Sequence, residues 1–302
     1  MNEKRYNILV DRDPEMDYER AKAFRSTLNL VLVPVLNRLP PTLLPLMVKT
    51  HRSAEKVVEH KTEHAALEVF YQHGKTYRSR NPLERIARYV WFGLNNSMAV
   101  RNRLKIVRRE VYNEMARTLQ RKSSVLILSV AAGSARAVLE AIQTLMTEFP
   151  DNEIHAVFLD KNPAAMTYSR YLAKALGVDY APNVQLTWVT DTVGTFFTTS
   201  DVKFDIVEMV GLMDYFNDEK AVKAFAHIYD ALNPGGLLVT ANVQDNRERK
   251  FVTDFVGWNM IYRTPGDLLD LLVQAKFQSG HIYAFCEPLE IHTVACARKA
   301  RI

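Results

Sequence analysis

The pattern of apolar and polar positions changes character near residue 123. From there on, short apolar runs alternate with stretches of helical period. The runs are SVLILSV (124–130), IHAVFLD (154–160), VQLTWVT (184–190), FDIVEMV (204–210) and GLLVTANV (236–243). Between and after them, ARAVLEAIQTLMTEF, PAAMTYSRYLAKALG, DEKAVKAFAHIYDAL and TPGDLLDLLVQAKF repeat apolar residues three and four apart, the spacing of a one-sided helix. Strands that are apolar on both faces and separated by helices belong to a parallel sheet covered on both sides. At the end, HIYAFCE and IHTVACAR stand too close together for a crossover helix, so they predict an antiparallel hairpin. The expectation for residues 122–302 is a doubly wound α/β domain with a mostly parallel, seven-stranded sheet ending in that hairpin.

Residues 1–121 read as a mainly helical N-terminal region. SAEKVVEHKTEHAALEVFYQHG begins at a serine suited to capping and stops at Gly74, which predicts a single helix. Further helices are predicted after Pro82 and through AVRNRLKIVRREVYNEMARTLQ, with the basic connector GKTYRSRNP between helices. The run LNLVLVPVLNRLPPTLLPLMV (28–48) is almost long enough to span a bilayer, but Arg38 and four prolines interrupt it. It predicts a bent helix packed on its own protein, with peripheral contact to a membrane or a greasy substrate as the alternative.

Charge sharpens this division. The net charge is +5, but residues 1–122 carry 24 Lys and Arg against 13 Asp and Glu, whereas the remainder is acidic. RSRNPLERIARY and RNRLKIVRRE mix arginines with aromatic and aliphatic residues, which is compatible with nucleic acid but is the routine look of solvated helix faces, so nucleic acid is the less favoured partner. The two cysteines, Cys286 and Cys296, are too few for a disulfide framework, and the charged start MNEKRYNILVDRD lacks the apolar segment of a signal peptide, so a cytoplasmic location is expected. HKTEH (60–64) has the spacing of a zinc-peptidase motif, but short patterns arise by chance and no metal is expected.

The candidate chemistry lies where the first apolar run meets its helix, in SVAAGSAR. Ligands of open parallel sheets sit beyond the carboxyl ends of the strands. There Ala131, Ala132, Gly133 and Ser134 are small enough for close approach, and a helix N-terminus follows. The second run ends at Asp160, whose carboxylate suits a pair of ribose hydroxyls and is followed by Lys161 and Asn162. The third run is followed by Asp191 and Thr192, and the fourth ends in Met209, Val210 and the low-profile Gly211. Four strand ends converge on a ligand of nucleoside shape.

This order, completed by LNPGGLLV (232–239) before the fifth strand, resembles the class I S-adenosylmethionine-dependent methyltransferases over about residues 122–300. The resemblance implies a Rossmann-like fold and S-adenosyl-L-methionine as cofactor. It places Val130, Ala131, Ala132, Gly133 and Ser134 at the methionine portion and Asp160 at the ribose. Lys161, Asn162, Asp191 and Thr192 fall at the adenine, and Met209, Val210 and Gly211 near the sugar and sulfonium. The family elbow commonly reads E/D-x-G-x-G-x-G; here Ser129 replaces the acidic residue and Gly133 alone of the glycines remains. A nicotinamide dehydrogenase is disfavoured, because the elbow lacks the G-x-G-x-x-G of a pyrophosphate loop.

Methyl transfer is an in-line displacement that asks the protein mainly for alignment, with a base needed only for an acceptor that holds its proton. Asp214 and Tyr215, just beyond the fourth strand, are the catalytic candidates. Tyr77 and His281 are further ones, while Arg101 and Arg103 are suited to a carboxylate of cofactor or substrate. The expected activity is methylation of a small or lipid-like acceptor under a helical lid. The alternatives are an RNA methyltransferase using the basic N-terminal region, or a cofactor-binding protein performing a non-methyl transfer, as nicotianamine synthases do.

Overall fold

The computed structural model describes residues 6–49, 52–61, 63–72, 79 and 81–301. The strands are β1 (Asn7–Val10), β2 (Ser124–Val130), β3 (Glu153–Asp160), β4 (Val184–Thr190), β5 (Phe204–Val210), β6 (Leu232–Val243), β7 (Ile282–Cys286) and β8 (His292–Arg298). They form one sheet in the order β1-β7-β8-β6-β5-β2-β3-β4, in which β8 alone runs antiparallel to its neighbours.

The sheet has eight strands, not the seven expected. The extra one, β1, comes from the N-terminal region and lies parallel to β7 at the edge. Its side chains are mostly exposed, so it carries no alternating pattern to detect. It is held by its backbone ladder and by the Asp11 carboxylate that follows it, 2.5 Å from the Arg109 guanidinium.

The helices are α1 (Ala23–Leu36), α2 (Leu44–Val48), α3 (Arg52–Glu59), α4 (His64–Tyr71), α5 (Pro82–Phe92), α6 (Asn95–Leu119), α7 (Arg136–Glu148), α8 (Pro163–Ala175), α9 (Val193–Thr199), α10 (Asp218–Ala231) and α11 (Pro265–Gln274). One face of the sheet packs on α6, α7 and α8 through residues such as Ile106, Met115, Ile142 and Phe158. The other packs on α10 and α11 through Phe225, Ile228, Leu268 and Leu272. Each such side chain, fully buried, contributes about 1.5–3 kcal/mol. Gly236 in LNPGG has a steric reason: a Cβ there would stand 2.9 Å from Asn233 O and 3.0 Å from Asp205 O, so only glycine lets β6 press against β5.

The helices before α6 form a cover over the carboxyl ends of the strands. Leu36, Val57, Val69, Phe70 and Trp91 pack there on Phe251 and Phe255, which belong to a single π-helical turn, Phe251–Phe255, after β6. The single helix expected over 53–74 is two helices, α3 and α4. On one continuous helix the buried sets Ala54/Val57 and Ala66/Val69/Phe70 would point roughly 140° apart; the break lets both face one cluster. The run 28–48 likewise breaks into α1, a 3-10 turn Pro41–Leu43 and α2. Among the described residues, no helix is long and apolar enough to cross a membrane.

Candidate active site

Between the end of β2 and the start of α7 the backbone is left-handed at Ala131, Gly133 and Ala135, with φ of 51°, 54° and 54°. Glycine adopts this freely, whereas for alanine it costs about 1–2 kcal/mol. Counted from Ser129, these are the three glycine positions of E/D-x-G-x-G-x-G, so the glycine-poor elbow follows the course that a glycine-rich one would. Three bonds hold it there: Ala132 N–H to Leu159 O at 2.9 Å, Ala135 N–H to Ala132 O at 2.6 Å, and Gly133 N–H to Asp160 Oδ2 at 2.9 Å. No side chain caps α7, which leaves its first-turn N–H groups available to a ligand.

An acidic side chain stands beside Ser129 on the neighbouring strand. Ser129 pairs in register with Glu208 of β5, and its hydroxyl donates to Glu208 Oε2 at 2.5 Å. Burial pushes the Glu208 carboxyl up to about 7, against the opposing pull of Ser129 and Arg103. The cleft at the elbow is lined by Ala131 through Val138, Glu208 and Val210, by Arg103 of α6, and from the cover by His64, Leu67 and Tyr71.

Asp160 accepts from Gly133 N–H and, at 2.8 Å, from Asn162 N–H, and each oxygen keeps one lone pair for a further donor. Asn162 caps α8 by accepting from Ala164 N–H. Asp191 accepts from Thr192 N–H at 2.6 Å, and Thr192 caps α9. Because β3 and β4 pair in parallel with Asp160 opposite Thr190, these groups share one rim. Lys161 is exposed there. Val130 and Met209 bury their side chains completely in the core and offer a ligand only backbone.

The donor set fits the cofactor that the resemblance implies. Glu208 suits a cationic centre, Arg103 and the open end of α7 suit a carboxylate, and Asp160 suits a vicinal diol.

Beside the elbow lies a second, apolar cavity, walled by Val57, Phe70, Trp91, Phe251 and Trp258 and closed on the sheet side by Gly211, Asp214, Tyr215 and His292. Asp214 is buried, accepts from Val243 N–H at 2.8 Å, and lies 3.9 Å from the Arg103 guanidinium. Burial raises its pKa, with Arg103 opposing. The Tyr215 hydroxyl accepts from Trp258 Nε1 at 2.7 Å, and burial pushes it up to about 12. His292 is buried and held neutral by burial and by Arg103. Arg103 and Leu67 line both the elbow cleft and this cavity.

Other expected groups lie elsewhere. Arg101 is spent on Glu19, with both bonds at 2.6 Å. His281 is exposed just before β7, at the opposite end of the sheet, and Tyr77 lies outside the described residues. The cations of RNRLKIVRRE are engaged: besides Arg101 and Arg103, Lys105 bonds Asp17 O, Arg108 meets Glu140, and Arg109 meets Asp11 and Glu110. His60 lies between α3 and α4, so His60 and His64 do not share one helical face. No group of three metal-ligating side chains occurs among the described residues.

The cleft also brings in side chains to which the sequence pattern gives no place at a cofactor, His64 figuring there only within HKTEH. His64 lies over the elbow, where a Cβ on Gly133 would stand 3.3 Å from its Cβ. Glu68 fastens α4 by bonds from Arg136 Nε (2.9 Å) and Nη2 (2.6 Å) and from the Tyr168 hydroxyl (2.8 Å). His292 is the first residue of β8. For Glu208 the signal was present: a glutamate inside the apolar run FDIVEMV is a buried charge that demands a partner.

Residues 67–299 match the model of a family described as "Putative methyltransferase". No curated protein matches the chain in sequence. Among solved structures, a "possible exported protein" from Bordetella parapertussis is 16% identical with a TM-score of 0.63, covering 89% of this chain and 95% of its own. Magnesium protoporphyrin IX methyltransferase from Synechocystis PCC 6803, solved with S-adenosylhomocysteine, is 10% identical with a TM-score of 0.53, covering 82% and 100%. The S-adenosylmethionine-dependent methyltransferase SibL is 16% identical with a TM-score of 0.50, covering 92% and 76%. At these identities the likeness shows the shared fold.

Proposed function

The chain belongs to the methyltransferase family that residues 67–299 match, and from that membership we propose that it methylates a small, largely apolar acceptor held between the helical cover and the sheet. The observation that carries this reading is the adjacency of two cavities of opposite character. The elbow cleft offers charges and free N–H groups, the neighbouring cavity is walled by aromatic and aliphatic side chains, and Arg103 and Leu67 border both. A polar cofactor and a greasy acceptor would meet across that border.

When bound, S-adenosyl-L-methionine supplies an electrophilic methyl group on a sulfonium. The chain's own residues supply placement. Glu208 and Arg103 take the charged amino-acid end, Asp160 takes the ribose hydroxyls, and the rim of Lys161, Asn162, Asp191 and Thr192 borders the adenine. The backbone of Val130 through Ser134 and of Met209 through Gly211 forms the floor. The cover excludes water, which keeps the two reactants in line. For an acceptor that bears a proton, Asp214 Oδ2 is the group to receive it, since Oδ1 is held by Val243 N–H. Tyr215, a neutral phenol fixed by Trp258, orients the acceptor. In this proposal residues 1–121 act chiefly as lid and acceptor region and residues 122–302 as the cofactor domain.

Calorimetry with S-adenosylmethionine and its demethylated product tests the cofactor half. Asp160→Ala should weaken binding by roughly tenfold or more, because it removes a charge-assisted contact and a tie on the elbow; unchanged affinity would remove Asp160 from the site. Turnover with candidate acceptors should release S-adenosylhomocysteine, whereas methylthioadenosine would indicate a non-methyl transfer.

A further inference from the structure

The outer face of the cover is unusual in both charge and polarity. No acidic residue occurs between Glu19 and Glu55, while Arg20, Lys22, Arg25, Arg38, Lys49 and Arg52 do. Within this stretch, α1 turns one apolar face inward, with Val33 and Leu36 buried. It also turns a second apolar face to solvent: Leu30 is 57% exposed, Val31 67% and Val35 53%. The segment after it continues this surface, with Leu46 68% exposed. A helix of a protein that ends at its own surface would carry polar residues there.

The rim of this face is cationic. Leu30, Pro34 and Arg38 border a groove whose other wall includes Arg247 and Lys250 from the segment after β6. No carboxylate lines the groove, and among the described residues Arg38, Arg247 and Lys250 form no ion pair. This contrasts with the basic run on α6, whose cations are engaged by carboxylates or backbone. Cations left free beside exposed aliphatic side chains suit a surface that is itself apolar below and anionic above.

We infer that α1 and residues 41–48 form a peripheral docking face for an anionic lipid surface, with Leu30, Val31, Val35 and Leu46 entering the acyl boundary and Arg38, Arg247 and Lys250 meeting phosphates. Amphipathic helices with basic rims bind membranes this way, by apolar burial and attraction to anionic headgroups together. The chemistry favours lipid over the alternatives. A second copy of the same face would bring like charges together, and nucleic acid would leave the aliphatic side chains uncovered.

The test is co-sedimentation of the full chain with phosphatidylcholine vesicles, with and without one-third phosphatidylglycerol. Binding should be at least roughly tenfold stronger to the anionic vesicles and should weaken with added salt. Val31→Glu/Val35→Glu and Arg38→Glu/Lys250→Glu should each reduce it by a similar factor, while calorimetric affinity for S-adenosylmethionine stays at the wild-type value. Absence of sedimentation, equal binding to neutral vesicles, or indifference to salt overturns the inference from the wild-type protein alone. So does a light-scattering dimer that Val31→Glu/Val35→Glu dissociates, or retention of an RNA oligonucleotide that this variant leaves intact. Because cofactor affinity is read separately, failure here leaves the methyltransferase reading standing, and the reverse holds.

Discussion

The α/β layer and the helical cover are held together by different means. In the sheet, the central strands β2, β5, β6 and β8 are paired by backbone bonds and have mostly buried side chains, and both faces are filled with aliphatic and aromatic residues. The cover rests on one smaller apolar cluster against a single π-turn and on a few charged fastenings. Glu68 meets Arg136, Glu19 meets Arg101, and buried Glu248 accepts from the N–H groups of Asn95 and Asn96, both at 2.8 Å. A layer built on apolar area opens only by unfolding, whereas one held at a few polar points can come away while the rest stays folded. The two cavities proposed to hold the reactants lie at the junction, so in that proposal ligand entry depends on the second kind of attachment.

The strongest break of this contrast is Arg136→Ala. The Glu68 carboxyl is desolvated, and its pKa falls below the usual value because the bonds and charge of Arg136, helped by hydrogen bonds from Ser134 and Tyr168, together outweigh burial. Removing the guanidinium leaves a buried charge unpaired, a loss of about 3–5 kcal/mol. The loss should appear as faster amide exchange over α4, with the protection of β2 and β5 unchanged. In Glu68→Gln/Arg136→Met, where neither charge remains, most of the protection should return. Equal loss of protection in the sheet would show that the cover is part of one cooperative unit. In the wild type, the fastening should hold above the ordinary glutamate range and weaken as pH falls through the lowered pKa of Glu68.

The same contrast explains what could be read from the sequence. β2 and β5 span the residues that their apolar runs delimit, because strands in the middle of the sheet are covered on both faces, whereas β4 at the edge alternates half-buried apolar with exposed polar residues and was legible from that alternation. The antiparallel hairpin followed from loop length alone. β1 was invisible because an exposed edge strand is held by its backbone ladder, which leaves no mark on side-chain pattern. In the site, Asp160 was legible as a strand-end carboxylate. The pairing of Glu208 with Ser129 was not, since it depends on register between strands nearly 80 residues apart in the chain. The Glu68–Arg136 fastening was hidden for the same reason: neither partner is unusual until α4 is placed over the elbow.

A smaller effect, growing as pH rises, is expected on the sheet side. The Glu208 pKa is raised in the folded state, from the ordinary 4.5 to about 7. The stability this provides is fully present below about 4.5 and is lost as pH rises through about 7. Glu208→Gln should therefore gain on the wild type between pH 5 and pH 8, by on the order of 3 kcal/mol for a shift of this size, measured by urea unfolding without cofactor. Saturating S-adenosylmethionine should reverse the advantage at pH 8, because a cationic ligand gains from the carboxylate and not from the amide. A variant that keeps its advantage with cofactor present would remove Glu208 from the proposed site.

The smallest expected effect separates the two alanines of the elbow. Both hold left-handed backbone, φ 51° at Ala131 and 54° at Ala135, so glycine at either should relieve about 1–2 kcal/mol of strain and give back about 0.5–1 kcal/mol in chain entropy. Ala135 is also buried and packs in the core of the α6–α8 face, so its methyl group contributes about 0.8 kcal/mol that glycine would lose. Ala131 is only half-buried. Ala131→Gly should thus raise the unfolding midpoint, by the equivalent of about 0.5–1 kcal/mol, while Ala135→Gly should be close to neutral. If Ala131→Gly stabilises the protein but weakens cofactor binding, the strained alanine serves to hold the elbow in its binding shape, and the scarcity of glycine in SVAAGSA is a functional choice of rigidity over ease of folding.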